Sequence, residues 1–455
     1  MKRHSTETGI LIRSARSAVA RSLGAVVFGG ALLCAAGSTP ARDLLIRNAT
    51  VHTAGERGTL QGADVLVHDG RIAKVGTGLA APSGAEVVDA GGHRLTPTLF
   101  GGVTGIGLEE VSAEEPTVDA TLALGAGSHR MVVRPEFDVT LAYNPASVVV
   151  PVTRIEGIGW TMLGPGTDEG GSIVAGLGGV MRLDGGLDPL GARMLFLDLG
   201  GGAKSLSGES RAAQWMLLDQ FIDEAHGRIG PEANAARLTP AGRRTLLGYV
   251  DGGDGRIMVH VDRAADILQL LRWSARHRAS VAVVGGAEAW KVGAALAAAK
   301  VPVFVDPLAN LPDNFDSIGA TMENAARLRA AGVAVGFSQV GDASHNARKI
   351  RQLAGNAVAA GMAWNDAFAG LTSVPAGAFG VGADIGRVAP GLRADLVLWS
   401  GDPLEVNSVA TRVWFDGRAI PMTSRQTELR DRYLHKAVPR EQGGLPRAYS
   451  GAAGR

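Results

Sequence analysis

A chain of 455 residues with 46% hydrophobic side chains has ample material for a large core, which excludes a disordered polymer. Its 45 basic and 44 acidic residues leave a net charge of +1, so the electrostatic footprint of a nucleic-acid binder is missing. Aromatic residues make up only 5% while glycine numbers 64, a mixture that suits an α/β protein with short loops and close helix–strand packing.

Residues 1–41 have the pattern of an export signal. Lys2, Arg3, Arg13, Arg16 and Arg21 precede a Gly/Ala-rich apolar stretch at 23–36, which has the length of a signal core rather than of a membrane span. Small residues at Ala36 and Ala41 offer exits for cleavage. The expectation is a signal peptide and a periplasmic protein with no membrane attachment after its removal; an uncleaved anchor is the alternative. Cys34 is the only cysteine, so the mature chain would carry no disulfide, thiol nucleophile or cysteine metal ligand.

Residues 43–51 alternate as a strand. Residues 64–75 read as a hairpin turning at Asp69 and Gly70, and 85–95 as a further strand pair. A second strand set lies near the other end, at 394–399 and 409–418, again closed by an Asp-Gly pair at Asp416 and Gly417. Between the two sets, strand-like runs alternate with helical ones: 257–261 then 263–278, 280–284 then 288–299, 301–305 then 323–331, and 333–337 then 346–360. Such repeats predict a parallel barrel or a doubly wound sheet. Residues 107–190 fit the repeat poorly, so 112–250 is expected to be an elaborated early barrel with long loops. The tail, 423–455, is expected to be peripheral.

The most informative phrase runs from 95 to 111. Thr96, Pro97, Leu99 and Phe100 fall on a T-P-G-L-(I/F)-D-x-H-x-H pattern, which resembles the first barrel strand of the amidohydrolase superfamily. The stretches 285–291 and 306–312 resemble loops of its exported, imidazolonepropionase-like branch, 354–361 resembles the helix pair after its eighth strand, and 385–396 resembles its C-terminal signature. The resemblance implies a (β/α)8 TIM-like barrel over 98–384. It also implies a small β-sandwich built from both chain ends, at 42–97 and 385–422. By function it implies a hydrolase of non-peptide C–N bonds, acting on a cyclic amide or similar small molecule. The implied cofactor is a divalent metal such as zinc, which lowers the pKa of water and polarises the carbonyl.

On that alignment Val103 and Gly105 stand where the two first-strand histidines would be, and neither side chain ligates metal. His260 matches the fifth-strand histidine, with Arg263 and Asp266 after it also in keeping. Gly285 or Gly286 occupies the sixth-strand position, and Asp342 matches the eighth-strand aspartate that binds metal and shuttles a proton. His260 and Asp342 are therefore the candidates for both catalysis and metal binding. The plainer readings are a hydrogen-bonded barrel-mouth histidine and an aspartate that caps a helix. His129, His345, Glu109 and Asp306 add donors only if the fold turns them inward. Lys204 is expected at the surface, and Glu288 opens a helix whose dipole it suits. Glu109, Glu110, Glu114 and Glu115 read as a solvated acidic loop, and Asp395 as a cap or bridge in the sandwich. The glycines of 170–186 lack the Lys-Ser/Thr of a P-loop and read as turns and close packing, and Ser344 lies in no nucleophile elbow.

A catalytic zinc takes about three protein ligands, and the alignment supplies two. Two readings follow: a C–N hydrolase using His260 and Asp342, or a non-catalytic protein that uses the barrel mouth to hold a small molecule or a partner. The ligand count favours the second as far as metal chemistry is concerned.

Overall fold

The computed structural model describes residues 43–124, 131–341 and 343–437. The stretch read as an export signal, with Cys34, and also His129, Asp342 and 438–455, lie outside the described residues. Among the described residues no helix is long and apolar enough to cross a membrane.

The first strands are β1 (Leu44–His52), β2 (Thr59–His68), β3 (Arg71–Gly76), β4 (Glu86–Asp89) and β5 (Arg94–Pro97). The turn between β2 and β3 is made by Asp69 and Gly70, both at positive φ, as a two-residue hairpin turn requires. The segment predicted as a strand pair at 85–95 does not pair with itself: β4 and β5 each run parallel to β1, along successive parts of it.

Eight strands form the barrel sheet: β6 (Leu99–Thr104), β7 (Ile158–Leu163), β8 (Val174–Arg182), β9 (Leu190–Asp198), β10 (Arg256–Val261), β11 (Ser280–Gly285), β12 (Val303–Val305) and β13 (Val335–Phe337). They hydrogen-bond in chain order. The ring is nearly closed, and its seam is bridged where the Val103 amide donates to Ser338 Oγ at 3.1 Å. Helices intervene unevenly. The short α1 (Val149–Arg154) separates β6 from β7, and α2 (Arg211–Ala225) and α3 (Pro240–Leu247) separate β9 from β10. Then α4 (Ala264–Arg276), α5 (Gly293–Ala298) and α6 (Asn324–Ala330) follow β10, β11 and β12 in turn. After β13 come α7 (Ala343–Asn346), α8 (Ile350–Ala359), α9 (Trp364–Gly370) and α10 (Ser373–Ala378). The chain then returns to the terminal sheet as β14 (Leu396–Trp399), β15 (Ala410–Phe415) and β16 (Arg418–Ala419), and β14 pairs antiparallel with β5. The tail begins as a helix, α11 (Arg425–Ala437).

One expectation needs correcting. A full (β/α)8 alternation is not what forms, because β8 runs antiparallel to both β7 and β9 with no helix between them. Of the glycines read as turns and close packing, Gly176, Gly178 and Gly179 lie within β8, while Gly170, Gly171 and Gly185 lie in turns or bends. A Cβ at Gly176 would sit 2.5 Å from the Phe137 carbonyl oxygen, and one at Gly178 would overlap the Leu163 carbonyl oxygen. Glycine lets the neighbouring backbone close in.

Side-chain alternation divides the barrel into an outer and an inner layer. Along β10, Ile257, Val259 and Val261 pack outward in the core shared with the helices, while Met258 faces the interior. The interior is filled by large side chains. Phe100 lies 4.8 Å from Trp160, and Phe304 stacks on Phe379 at 5.1 Å. This is a packed core and not a pore, so a ligand of the barrel would sit at one of its ends.

His52, at the end of β1, is buried against α9, its ring 4.7 Å from Trp364. Its Nδ1 lies 2.9 Å from Thr59 Oγ1, whereas Nε2 has no partner. Burial first, and then the charge of Arg94, hold its pKa below the ordinary 6.5. Below that value the unfolded chain takes up a proton that the folded chain refuses. Stability is therefore lost as pH falls from 6.5 through the folded value. Denaturant unfolding at about pH 7 and about pH 5 is expected to show a smaller loss for His52→Phe than for the parent. Equal losses would remove His52 from the account.

Candidate functional site

The same alternation places the polar residues of the barrel mouth. On β9, Met194 and Phe196 face inward, and Asp198 is the next residue of that face. On β10, Met258 is followed by His260, which sits beside Asp198 in the ladder. Parallel register sets the two side chains next to each other at the carboxyl ends of their strands. His260 Nδ1 is 3.7 Å from Asp198 Oδ1, and Asp198 Oδ2 accepts a 2.5 Å hydrogen bond from Thr167 Oγ1. His260 remains half exposed at 49%.

These residues border a cavity of about 690 Å³ whose lining also includes Asp262, Lys204, Arg211, Asn314, Phe315 and Asp316. Gly285, at the end of β11, lets Asp262 and His260 pack close to the backbone. A Cβ there would stand 2.7 Å from Asp262 Oδ1 and 3.3 Å from His260 Nε2, and the residue holds φ +88. Asp262 Oδ1 accepts from the Ala287 amide. Arg211 is already committed: its Nε donates to Asp266 at 3.1 Å and its Nη2 to Asp316, while the Gly201 amide donates to Asp316 Oδ2. Asp266 also receives Arg263. The result is an ion-pair chain that joins the loops after β9, β10 and β12.

The other sequence candidates are dispersed. Ser344 is buried, and its Oγ accepts from the Gly105 amide at 2.9 Å, so it tethers β6 to α7. A Cβ on Gly105 would meet Ser344 Oγ at 3.3 Å and Glu109 Cδ at 3.6 Å. Val103 packs against the apolar interior. Glu110 receives Ser147 Oγ and the Val148 amide at the start of α1. Asp306 accepts from the Leu308 and Val340 amides, which makes it a loop brace. Glu288 is buried and accepts from Lys291 Nζ, the Ala264 amide and the Gly319 amide. Burial opposes its charge, but those three donors hold its pKa below the usual carboxylate range. His345 lies on α7 with no ionic partner among the described residues. Lys204 corrects an expectation: it lines the cavity.

Asp198, Asp262, Arg211 and Asp316 were not singled out by the sequence reading. The alternation 194, 196, 198 was the available signal for Asp198. Arg211 and Asp316 are 105 positions apart and carry no local signal.

A divalent ion needs converging donors. Among the described residues no three His, Cys, Asp or Glu side chains gather into such a group. His260 and Asp198 form a pair, and Asp198 is engaged by Thr167. Among the described residues, which leave out Asp342 and His129, the donors that gather at the mouth are this pair alone. At 3.7 Å the two groups are near neighbours and not hydrogen-bonded, and the imidazole edge is open to the cavity.

Residues 257–421 match the amidohydrolase family model. The solved structure of an amidohydrolase from Thermotoga maritima MSB8 superposes with a TM-score of 0.72 at 26% identity, covering 84% of this chain and 100% of that one. Short stretches are similar to curated proteins. One is 39% identical over 59 residues to amidohydrolase tasK of Hapsidospora irregularis, which is 13% of this chain. Another is 47% identical over 55 residues to the dihydroorotase of Mycobacterium tuberculosis, which is 12% of this chain. The chain spans only 6% and 12% of the lengths of these curated relatives.

Proposed function

We propose, on the premise of the amidohydrolase superfamily that the family match and the fold neighbour support, that this chain binds a small polar molecule at the barrel mouth without a resident metal. The observation that carries the reading is the donor set: His260 and Asp198 pair, yet no third metal-type donor among the described residues joins them. Val103 and Gly105 add to it, because the positions aligned with the first-strand histidines are taken up by apolar packing and by Ser344 and Glu109. The chain is then a descendant that keeps the scaffold and its cavity, with the terminal sheet as the small sandwich and residues 1–41 as an export signal to the periplasm.

A second reading has its own support. The superfamily's chemistry is hydrolysis of C–N bonds, and His260, a side chain able to carry a proton, borders the cavity beside Asp198. In that reading His260 takes a proton from water and returns it to the leaving nitrogen.

Purified protein assayed on a panel of cyclic amides and N-acyl compounds, with and without chelator, separates the readings. The proposal expects no turnover that chelation abolishes and metal restores. Turnover indifferent to chelator would favour the second reading, and chelator-sensitive turnover would overturn both.

A further inference from the structure

We infer that the cavity selects a zwitterion, an amino-acid-like molecule that presents its carboxylate to Lys204 and its ammonium to Asp262. The inference rests on the reading of the cavity as a small-molecule site. Both side chains line the same cavity, and neither has an ionic partner among the described residues. The other charges of the lining are spoken for. Arg211 is shared by Asp266 and Asp316, and Asp198 by Thr167 and His260.

Asp262 and His260 both pack against the end of β11, where residue 285 carries no side chain. Asp262 Oδ1 and the Nε2 edge of His260 flank the position that a Cβ at 285 would take. Among the described residues only the Ala287 amide reaches that carboxylate. A bound ammonium would complete its coordination with charge-assisted hydrogen bonds. At the opposite sign, Lys204 Nζ carries three donors and meets no acceptor among the described residues. A ligand bearing one charge would leave the other lining group without a partner, so selectivity is for both charges together. Phe315 is 87% exposed and borders the cavity, which gives the ligand's apolar side chain a face to cover.

Isothermal titration of the full chain with three related probes tests this. L-Phenylalanine carries both charges, its methyl ester lacks the anion, and N-acetyl-L-phenylalanine lacks the cation. The parent protein is expected to bind L-phenylalanine about tenfold more tightly than either derivative. In Lys204→Met the advantage over the ester should vanish while that over the N-acetyl compound persists, and Asp262→Asn should do the reverse. Asparagine keeps the acceptor for the Ala287 amide, so both variants should unfold at the parent's temperature. Equal affinity for the three probes, no binding of any at millimolar concentration, or unchanged selectivity in both variants would each overturn the inference. Failure here with a metal-free protein leaves the proposed function standing. Stoichiometric metal with intact charge selectivity would sink the proposed function instead.

Discussion

Arg182→Met is expected to lower the free energy of unfolding by about 3–5 kcal/mol, because it strips the partner from a buried carboxylate. Arg182 ends β8 and is 8% exposed; Asp395, just before β14, is 4% exposed. The guanidinium donates through Nε and Nη2 to the two oxygens of Asp395, at 2.9 and 2.8 Å. It also reaches Asp416 at 2.9 Å and Asp184 at 2.6 Å. Asp395 accepts the Asp416 amide as well, and Arg393 pairs with Asp416, so one network joins the barrel to the terminal sheet. Methionine matches the arginine stem in length but leaves three carboxylates facing one another. Adding Asp395→Leu to the variant should recover much of the loss, since an apolar pair no longer strands a charge. Urea unfolding decides it. A loss under about 1 kcal/mol would mean the network behaves as an exposed ion pair does.

Gly178→Ala should cost about 3 kcal/mol, at the upper end of what overpacking does. The methyl would overlap the Leu163 carbonyl oxygen and lie 2.7 Å from the Phe196 ring. A backbone carbonyl cannot rotate away as a side chain can, so β7 and β8 must part locally. Hydrogen exchange should quicken in β7, β8 and β9 and stay unchanged in β11 and β12. Gly377→Ala is the control: nothing lies within 4 Å of its Cβ position, and it sits in α10. That change should be neutral or slightly stabilising. Equal stability of the two variants would show that β8 tolerates a side chain at 178.

The contrast between β8 and the later barrel strands shows what local sequence encodes here. Strands β10 to β13 were legible because Val, Ile and Phe alternate with the inner layer and helical runs follow. The hairpins β2–β3 and β15–β16 were legible because Asp-Gly pairs supply the two positive φ values. In β8 the pairing depends on residues with no side chain. Gly176, Gly178 and Gly179 are chosen by what approaches them, and a hydrophobic period cannot register an absence.

The candidate site divides in the same way. His260 was visible because it closes the run Met258-Val259-His260 and matches the fifth-strand histidine of the resembled superfamily. Asp198 has the inward phase on β9, but its strand lay in the region where the repeat was obscure. Arg211 and Asp316 meet only through the fold, and Lys204 reaches the cavity from a short turn beyond β9. Gly105 and Gly285 read in the sequence as positions without donors. In the structure they are positions whose neighbours leave little or no room for a side chain.

Metal occupancy tests the central claim most directly. The full chain should be incubated with zinc or manganese, freed of unbound ion and analysed by elemental mass spectrometry. A site without converging donors predicts less than about a tenth of an equivalent per chain. One equivalent or more, lost when His260 is replaced by alanine, would contradict it.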